Sequence, residues 1–117
     1  MKSKNNILLK SIKKNEDFVF VLKQGRKIKN EIFSVWIKNN FSNKQINYGL
    51  MVSKEFFKKA VTRNKIKRQI KNMLLNINFK ENMSILIKPT INYLNKDFQT
   101  NTKKLEELIN KNQQNGK

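Results

Sequence analysis

The segment from Lys58 to Leu75, KKAVTRNKIKRQIKNMLL, constrains the fold of this chain more than any other stretch. Placed on a helix at about 100° per residue, Ile66, Ile70, Met73 and Leu74 share one stripe. Asn64, Lys67, Arg68 and Lys71, spaced i, i+3, i+4, i+7, fall on roughly the opposite one, with Arg63 and Lys65 at its flanks. One face is built to pack on a core. The other is built to meet water or something acidic.

Charge narrows the choice. The 117 residues carry 26 Lys plus Arg against 8 Asp plus Glu, a formal net charge of +18. A lone chain with that imbalance repels itself, and a polyanionic partner relieves the repulsion. Nucleic acid fits best. An anionic membrane surface is the competitor, but no stretch approaches the roughly 18 apolar residues of a membrane helix. The apolar run near the start, Ile7 to Leu9, is too short for a secretory signal. Cysteine is absent, so nothing calls for an oxidising compartment, and the cytoplasm is the expected location.

Catalytic chemistry is poorly provided for. Histidine is absent, and the acids are scattered apart from the adjacent pairs Glu16-Asp17 and Glu106-Glu107, which read as helix-surface residues. No nucleophile–base pair or metal-ligand constellation can be assembled from these residues. Nineteen Asn and 23 Lys against 3 Arg point to an AT-rich genome. That bias lowers the weight of any single lysine and raises that of the arginines, two of which, Arg63 and Arg68, lie in the opening segment.

Residues 1–13 are basic and polar, an expected flexible or extended arm. Asn15 is placed to cap a first helix that ends before Gly25, with Glu16 and Asp17 in its first turn. Within it, Phe18 to Leu22 are apolar on more than one side, so one face should enter the core and the other line a second surface or a cleft. Ile32–Lys38 alternates as a strand, with Phe33, Val35 and Ile37 opposite Ile32, Ser34 and Trp36. A polar turn over Asn39–Lys44 leads to a second strand, Ile46–Ser53, expected to pair antiparallel with the first. Its apolar face is Ile46, Tyr48, Leu50 and Val52, which makes Tyr48 a core residue. Met83–Lys88 is a further strand closed by Pro89. Asp97 to about Asn110 is a last helix with Phe98, Leu105, Leu108 and Ile109 on one side and Asn95 or Asp97 as cap; residues 112–117 should fray. The pattern is an α+β sandwich of order α-β-β-β-α-β-α, one domain over residues 14–111, in which periodicity does not locate the third strand.

A basic helix face in a lysine-rich chain can simply be solvated. Two features favour an anion instead. Arginine, whose planar fork matches phosphate, stands at two places in a chain that otherwise avoids it. Acidic i, i+4 partners are also scarce, so the helix repels itself unless an anion lies along it. A helix-turn-helix reading for DNA lacks the short glycine-containing turn and a dimer element.

Ala60-Val61-Thr62-Arg63-Asn64-Lys65-Ile66-Lys67-Arg68-Gln69-Ile70-Lys71 resembles the signature of the bacterial ribonuclease P protein component, A-V-x-R-N-x-x-K-R followed by a basic residue three on. Three further blocks agree in order: Leu9–Gly25 with the family's K-K-N-x-x-F opening, Gly49–Lys54 with its G-L-S-V-S-K strand end, and Ile85–Pro89 with its later strand and proline. The chain departs by carrying Lys65 and Lys71 where arginine is common. It also has a connector, Glu55–Lys59, that lacks a glycine and is one residue longer.

The resemblance implies a two-layer sandwich like a ribosomal-protein domain, with a left-handed β-α-β crossover through the basic helix, where the general rule gives the right-handed one. It implies a protein cofactor to a catalytic RNA that removes the 5′ leader of precursor tRNA, doing no bond chemistry itself. Arg63, Asn64, Lys65, Lys67, Arg68 and Lys71 would hold that RNA, and Phe18, Trp36 and Lys54 the single-stranded leader. Mg²⁺ would sit mainly on RNA phosphates, with Asn64 as a possible oxygen donor. The expected partners are ribonuclease P RNA and precursor tRNA, with no membrane and no DNA, the protein being a monomer in the complex. The rival readings are a ribosomal or other structural RNA-binding protein and, less compatible with the absence of histidine, a self-sufficient nuclease.

Overall fold

Ile85, Leu86 and Ile87 are consecutive and fully buried. A strand apolar on both sides needs cover on both faces and a neighbour at each edge, which places it in the middle of a sheet. The computed structural model, which describes residues 2, 7–39 and 45–115, has this arrangement. Its elements run β1 (Leu8–Ser11), α1 (Asn15–Gln24), β2 (Arg26–Lys29), β3 (Phe33–Asn39), β4 (Gln45–Leu50), α2 (Ala60–Asn76), β5 (Met83–Pro89), a 3₁₀ helix (Ile91–Asn95) and α3 (Phe98–Asn115). The sheet order is β1-β4-β5-β3-β2. β5 runs antiparallel to β3 and parallel to β4, which is itself parallel to β1.

The expected direct pairing of the strands around Trp36 and Tyr48 is therefore not what forms. β5 inserts between β3 and β4, and α2 becomes the crossover joining the parallel neighbours β4 and β5. The expected turn over Asn39–Lys44 lies largely at residues 40–44, outside the described residues. The strand that periodicity leaves unplaced is β2, four residues long with a charged, exposed pattern typical of an edge. Leu8–Ser11, expected in the arm, forms the opposite edge: Leu9 is buried and pairs with Ile46.

Alternation sorts the side chains. Phe33, Val35, Ile37, Ile46, Tyr48, Met83, Ile85 and Ile87 point to one face, where Ile66, Ile70, Met73 and Leu74 of α2 and Leu105, Leu108 and Ile109 of α3 cover them. The apolar stripe of the opening segment is thus the core face of α2, and Tyr48 is in the core, 5% exposed. Phe98 is 40% exposed and does not join the α3 stripe. It is the first residue of α3.

The helix ends are tied differently from expectation. Lys14, not Asn15, is the residue before α1, and it makes no side-chain cap. Gly25 is needed for close approach rather than for a left-handed backbone: its φ is −77°, and a Cβ there would lie 2.5 Å from the Val21 carbonyl oxygen. Asp97 does cap α3, accepting the Thr100 N–H at 2.7 Å, and that backbone bond draws its carboxyl below the usual range. α3 then continues through residues expected to fray. Asn112 and Gln113 are buried, and the Gln113 side-chain oxygen accepts the Lys80 N–H at 2.6 Å, docking the helix end on the link into β5.

Tyr93, on the 3₁₀ helix, closes the core. Its ring meets Phe33 edge-on at 5.8 Å, and its hydroxyl donates to Gln69 Oε1 at 2.8 Å. Burial pushes that hydroxyl up to about 12 from 10.0, with a hydrogen bond to the Asn101 side chain pulling the other way. The folded chain holds the proton longer than the unfolded one. Its stabilisation is therefore complete below about pH 10 and is lost as pH rises toward about 12, at most about 2–3 kcal/mol. Denaturant titrations across that window should show wild type losing stability more steeply than Tyr93→Phe; parallel curves would contradict the burial.

Candidate nucleic-acid interface

The second face of α2 stays uncovered. Asn64, Lys65, Arg68 and Lys71 are exposed and Lys67 is half-buried. Among the described residues both ion pairs converge on Lys104, at 3.2 Å to Glu31 and 4.0 Å to Glu107, so no cation of α2 is neutralised by a carboxylate. The first turn of α2 also has no acidic residue, and Lys59 precedes it without a side-chain cap. A helix N-terminus carries partial positive charge, so cations clustered there add to the repulsion unless an anion is bound.

Arg63 has a different task from its neighbours on this stripe. Its Nη1 donates to the carbonyls of Phe57 and Lys58, at 2.9 and 2.8 Å. The longer connector is folded by this fork and by Ser53, whose hydroxyl accepts the Glu55 N–H at 3.0 Å and whose carbonyl accepts the Phe57 N–H at 2.9 Å. Phe57 enters the core, with Phe56 edge-on to it at 6.3 Å. Arg63 therefore organises the approach to α2 with part of its guanidinium.

The other side of the sheet carries a second surface. Gly49, Leu86, Trp36 and Lys27 are successive register partners across β4, β5, β3 and β2. Helix α1 lies over this row. The Phe18 ring rests where a Cβ on Gly49 would fall, 2.6 Å from that position, with Leu86 alongside at 2.7 Å. Val21 and Leu86 are buried outside the main core, as a small separate packing layer. This accounts for the apolar run of α1: one face packs on the sheet, while Val19, Phe20 and Leu22 remain partly exposed, Phe20 at 54%.

The aromatic residues therefore differ in kind. Phe18 is half-buried as the contact that seats α1, not a free platform. Trp36 is half-exposed on the open face, two strand spacings or about 10 Å from Gly49. Lys27 Nζ lies 5.2 Å from its ring centroid, a cation–π contact. Lys54 is exposed in the turn that follows β4.

Between the two surfaces runs a groove of about 350 Å³ lined by Met51, Ser53, Lys67 and Lys88. Lys88 Nζ lies 5.6 Å from the Phe56 ring centroid. Lys67 thus belongs both to the α2 stripe and to the end of the sheet. The sequence reading singles out neither Lys27 nor Lys88 as a site residue. Each is one lysine among 23, and only the register of β2 and β5 puts them on the open face.

Comparisons with known proteins bear on the family and the fold. Residues 9–113 match the family model described as Ribonuclease P. The ribonuclease P protein component of Rickettsia bellii is 32% identical over 113 residues, covering 88% of this chain and 93% of the relative. That of Macrococcus caseolyticus is 43% identical over 60 residues, a match that spans 51% of either chain. The solved RNase P protein of Staphylococcus aureus superposes with a TM-score of 0.72 at 29% identity, covering 86% of this chain and 92% of that one. With the family model spanning nearly the whole chain and the fold shared, this chain belongs to the ribonuclease P protein family.

Proposed function

We propose that this chain is the protein subunit of ribonuclease P, holding the catalytic RNA on one surface and the 5′ leader of precursor tRNA on another. The observation that carries the reading is the pairing of two unlike surfaces on opposite faces of one sheet. The α2 face is a row of unpaired cations, suited to the phosphates of a structured RNA. The open face offers an accessible indole with a lysine over it, suited to an unpaired nucleotide whose base stacks and whose phosphate meets the ammonium. Stacking tolerates any base, as a site for leaders of varied sequence requires.

Cleavage belongs to the RNA in this reading. The chain has no histidine, and among the described residues no three acidic side chains come together as a metal cage. Mg²⁺ in the holoenzyme is then held chiefly by RNA phosphates, and the contribution of the protein is positional. In this reading the exposed Asn64 and Lys65 at the start of the α2 face meet the backbone of the catalytic RNA, and the exposed Lys54 meets a leader phosphate.

The test uses the chain reconstituted with a bacterial ribonuclease P RNA at low Mg²⁺. It should stimulate 5′ cleavage of precursor tRNA, and it should cut nothing alone. Trp36→Ala should weaken precursor binding by about 5- to 150-fold, the loss of one base stack, and leave mature tRNA binding nearly unchanged. Equal losses on both substrates would make Trp36 a structural residue only.

A further inference from the structure

Between its core stripe and its cationic stripe, α2 has a third flank. Thr62, Lys65, Gln69, Asn72 and Asn76, spaced i, i+3, i+7, i+10, i+14, share the side turned toward the 3₁₀ helix. Gln69 at its middle is half-buried, next to Arg68 in sequence and one turn from the exposed Lys65 and Asn72. Its amide is held at one end only. Oε1 accepts the Tyr93 hydroxyl at 2.8 Å, while Nε2 has no partner among the described residues. The sole buried side-chain N or O atom without a partner among those residues is Asn101 Oδ1, so Gln69 Nε2 reaches solvent.

Tyr93 is a rigid anchor for that amide. It is 2% exposed, Phe33 meets its ring edge-on at 5.8 Å, and Asn101 Nδ2 donates to its carbonyl at 3.0 Å. An unanchored glutamine loses rotamer freedom when it binds, and its two ends can exchange places. Here the acceptor end is occupied, and both Nε2 hydrogens are presented in a fixed direction. The neighbouring cations recognise phosphate as charge, which does not distinguish one polynucleotide from another. A fixed neutral donor beside them meets what lies beside a phosphate, the ribose, whose 2′-hydroxyl marks RNA. Resting on the reading of α2 as the face for the catalytic RNA, we propose that Gln69 donates to a ribose 2′-hydroxyl next to the phosphates of Lys65 and Arg68, with Tyr93 as its positioning residue. The pair lets α2 tell RNA from another polyanion of equal charge.

The experiment measures binding of the full chain to a bacterial ribonuclease P RNA without substrate. Gln69→Met removes donors and acceptor without changing charge, and should weaken binding by about 2- to 12-fold, the net worth of one neutral hydrogen bond. The log–log salt slope should not change, because no ionic contact is lost. RNA carrying scattered 2′-deoxy nucleotides supplies the readout that a structural role would not move. At least one position where deoxy substitution impairs binding of the wild-type chain should become indifferent with Gln69→Met. Gln69→Glu guards against misfolding: it keeps an acceptor for the Tyr93 hydroxyl, should hold the thermal midpoint, and should lose the same interference position. Tyr93→Phe should weaken binding about twofold or more in the wild-type chain and add nothing in the Gln69→Met chain; a further loss there would overturn its positioning role. Wild-type affinity with Gln69→Met, or one interference pattern for wild type and both Gln69 variants, overturns the proposal. Joint replacement of Lys67, Arg68 and Lys71 by glutamine, run in parallel, separates the two levels. Full affinity in that triple variant would sink the α2 assignment and this proposal with it, whereas lost affinity there and none in the Gln69 variants would sink the role of Gln69 alone.

Discussion

Replacing Lys67, Arg68 and Lys71 together by glutamine should lower affinity for ribonuclease P RNA by on the order of 100-fold at low salt. Each lost phosphate contact is taken at about 1 kcal/mol, and about 1.4 kcal/mol is tenfold. The dependence of log affinity on log salt should flatten by about 2–3, since each phosphate contributes about 0.7–0.9 to the slope. Thermal stability should hold or rise. The three side chains lie on the uncovered face, they have no carboxylate partner among the described residues, and they repel one another along the helix. An unchanged slope would make the stripe a solvated face. Arg63 is left out of this variant because its Nη1 holds the Phe57 and Lys58 carbonyls, so its loss mixes folding of the connector with RNA contact.

Gly49→Ala should destabilise the fold by about 1–3 kcal/mol, the usual cost of overpacking a filled site. At about 4–8 °C per kcal/mol for a domain near this size, the midpoint of thermal unfolding should fall by roughly 5–20 °C. The sign is not obvious in advance, because alanine in a strand is otherwise favoured over glycine by about 0.5–1 kcal/mol. Contact distances decide it. The new methyl would lie 2.6 Å from one Phe18 ring atom and 2.7 Å from another, and 2.7 Å from Leu86 Cδ2, so the ring must leave and α1 must lift. The double variant Gly49→Ala/Phe18→Ala should recover part of the loss, giving a coupling of at least about 0.5 kcal/mol. Full stability in the single variant would mean that the ring does not rest on Gly49. The same lift widens the space between α1 and the sheet, so leader binding should weaken even though neither Gly49 nor Phe18 offers a free stacking surface.

Legibility varied with how local the physics is. The two stripes of α2 could be read, because both follow from spacing within one helix, and the structure covers one and leaves most of the other exposed. Tyr48 and the alternation around Trp36 were equally readable, since side chains alternate along any strand. The β3–β4 hairpin expectation failed because adjacency in sequence says nothing about a later strand inserting between two earlier ones. The consecutive buried residues of β5 were the available signal for that insertion. Phe18 was legible as an aromatic on α1, but its role as the seat of that helix depends on a glycine 31 positions away. The tail beyond residue 111 looked unstructured because its anchor is a glutamine accepting a backbone N–H from a distant loop.

By itself the sequence determined the charge, the amphipathic basic helix, the absence of histidine and cysteine and, through ordered motifs, the family. These depend on residue type and on spacing within single elements. Only the tertiary structure decided the sheet order, the hold of Arg63 on the connector, the seating of Phe18 against Gly49, and the recruitment of Lys27 and Lys88 to the open face. The reason is physical. Strand register and helix placement bring together residues tens of positions apart, and that juxtaposition is settled by burying β5 on both faces, a condition on the whole chain rather than on any segment of it.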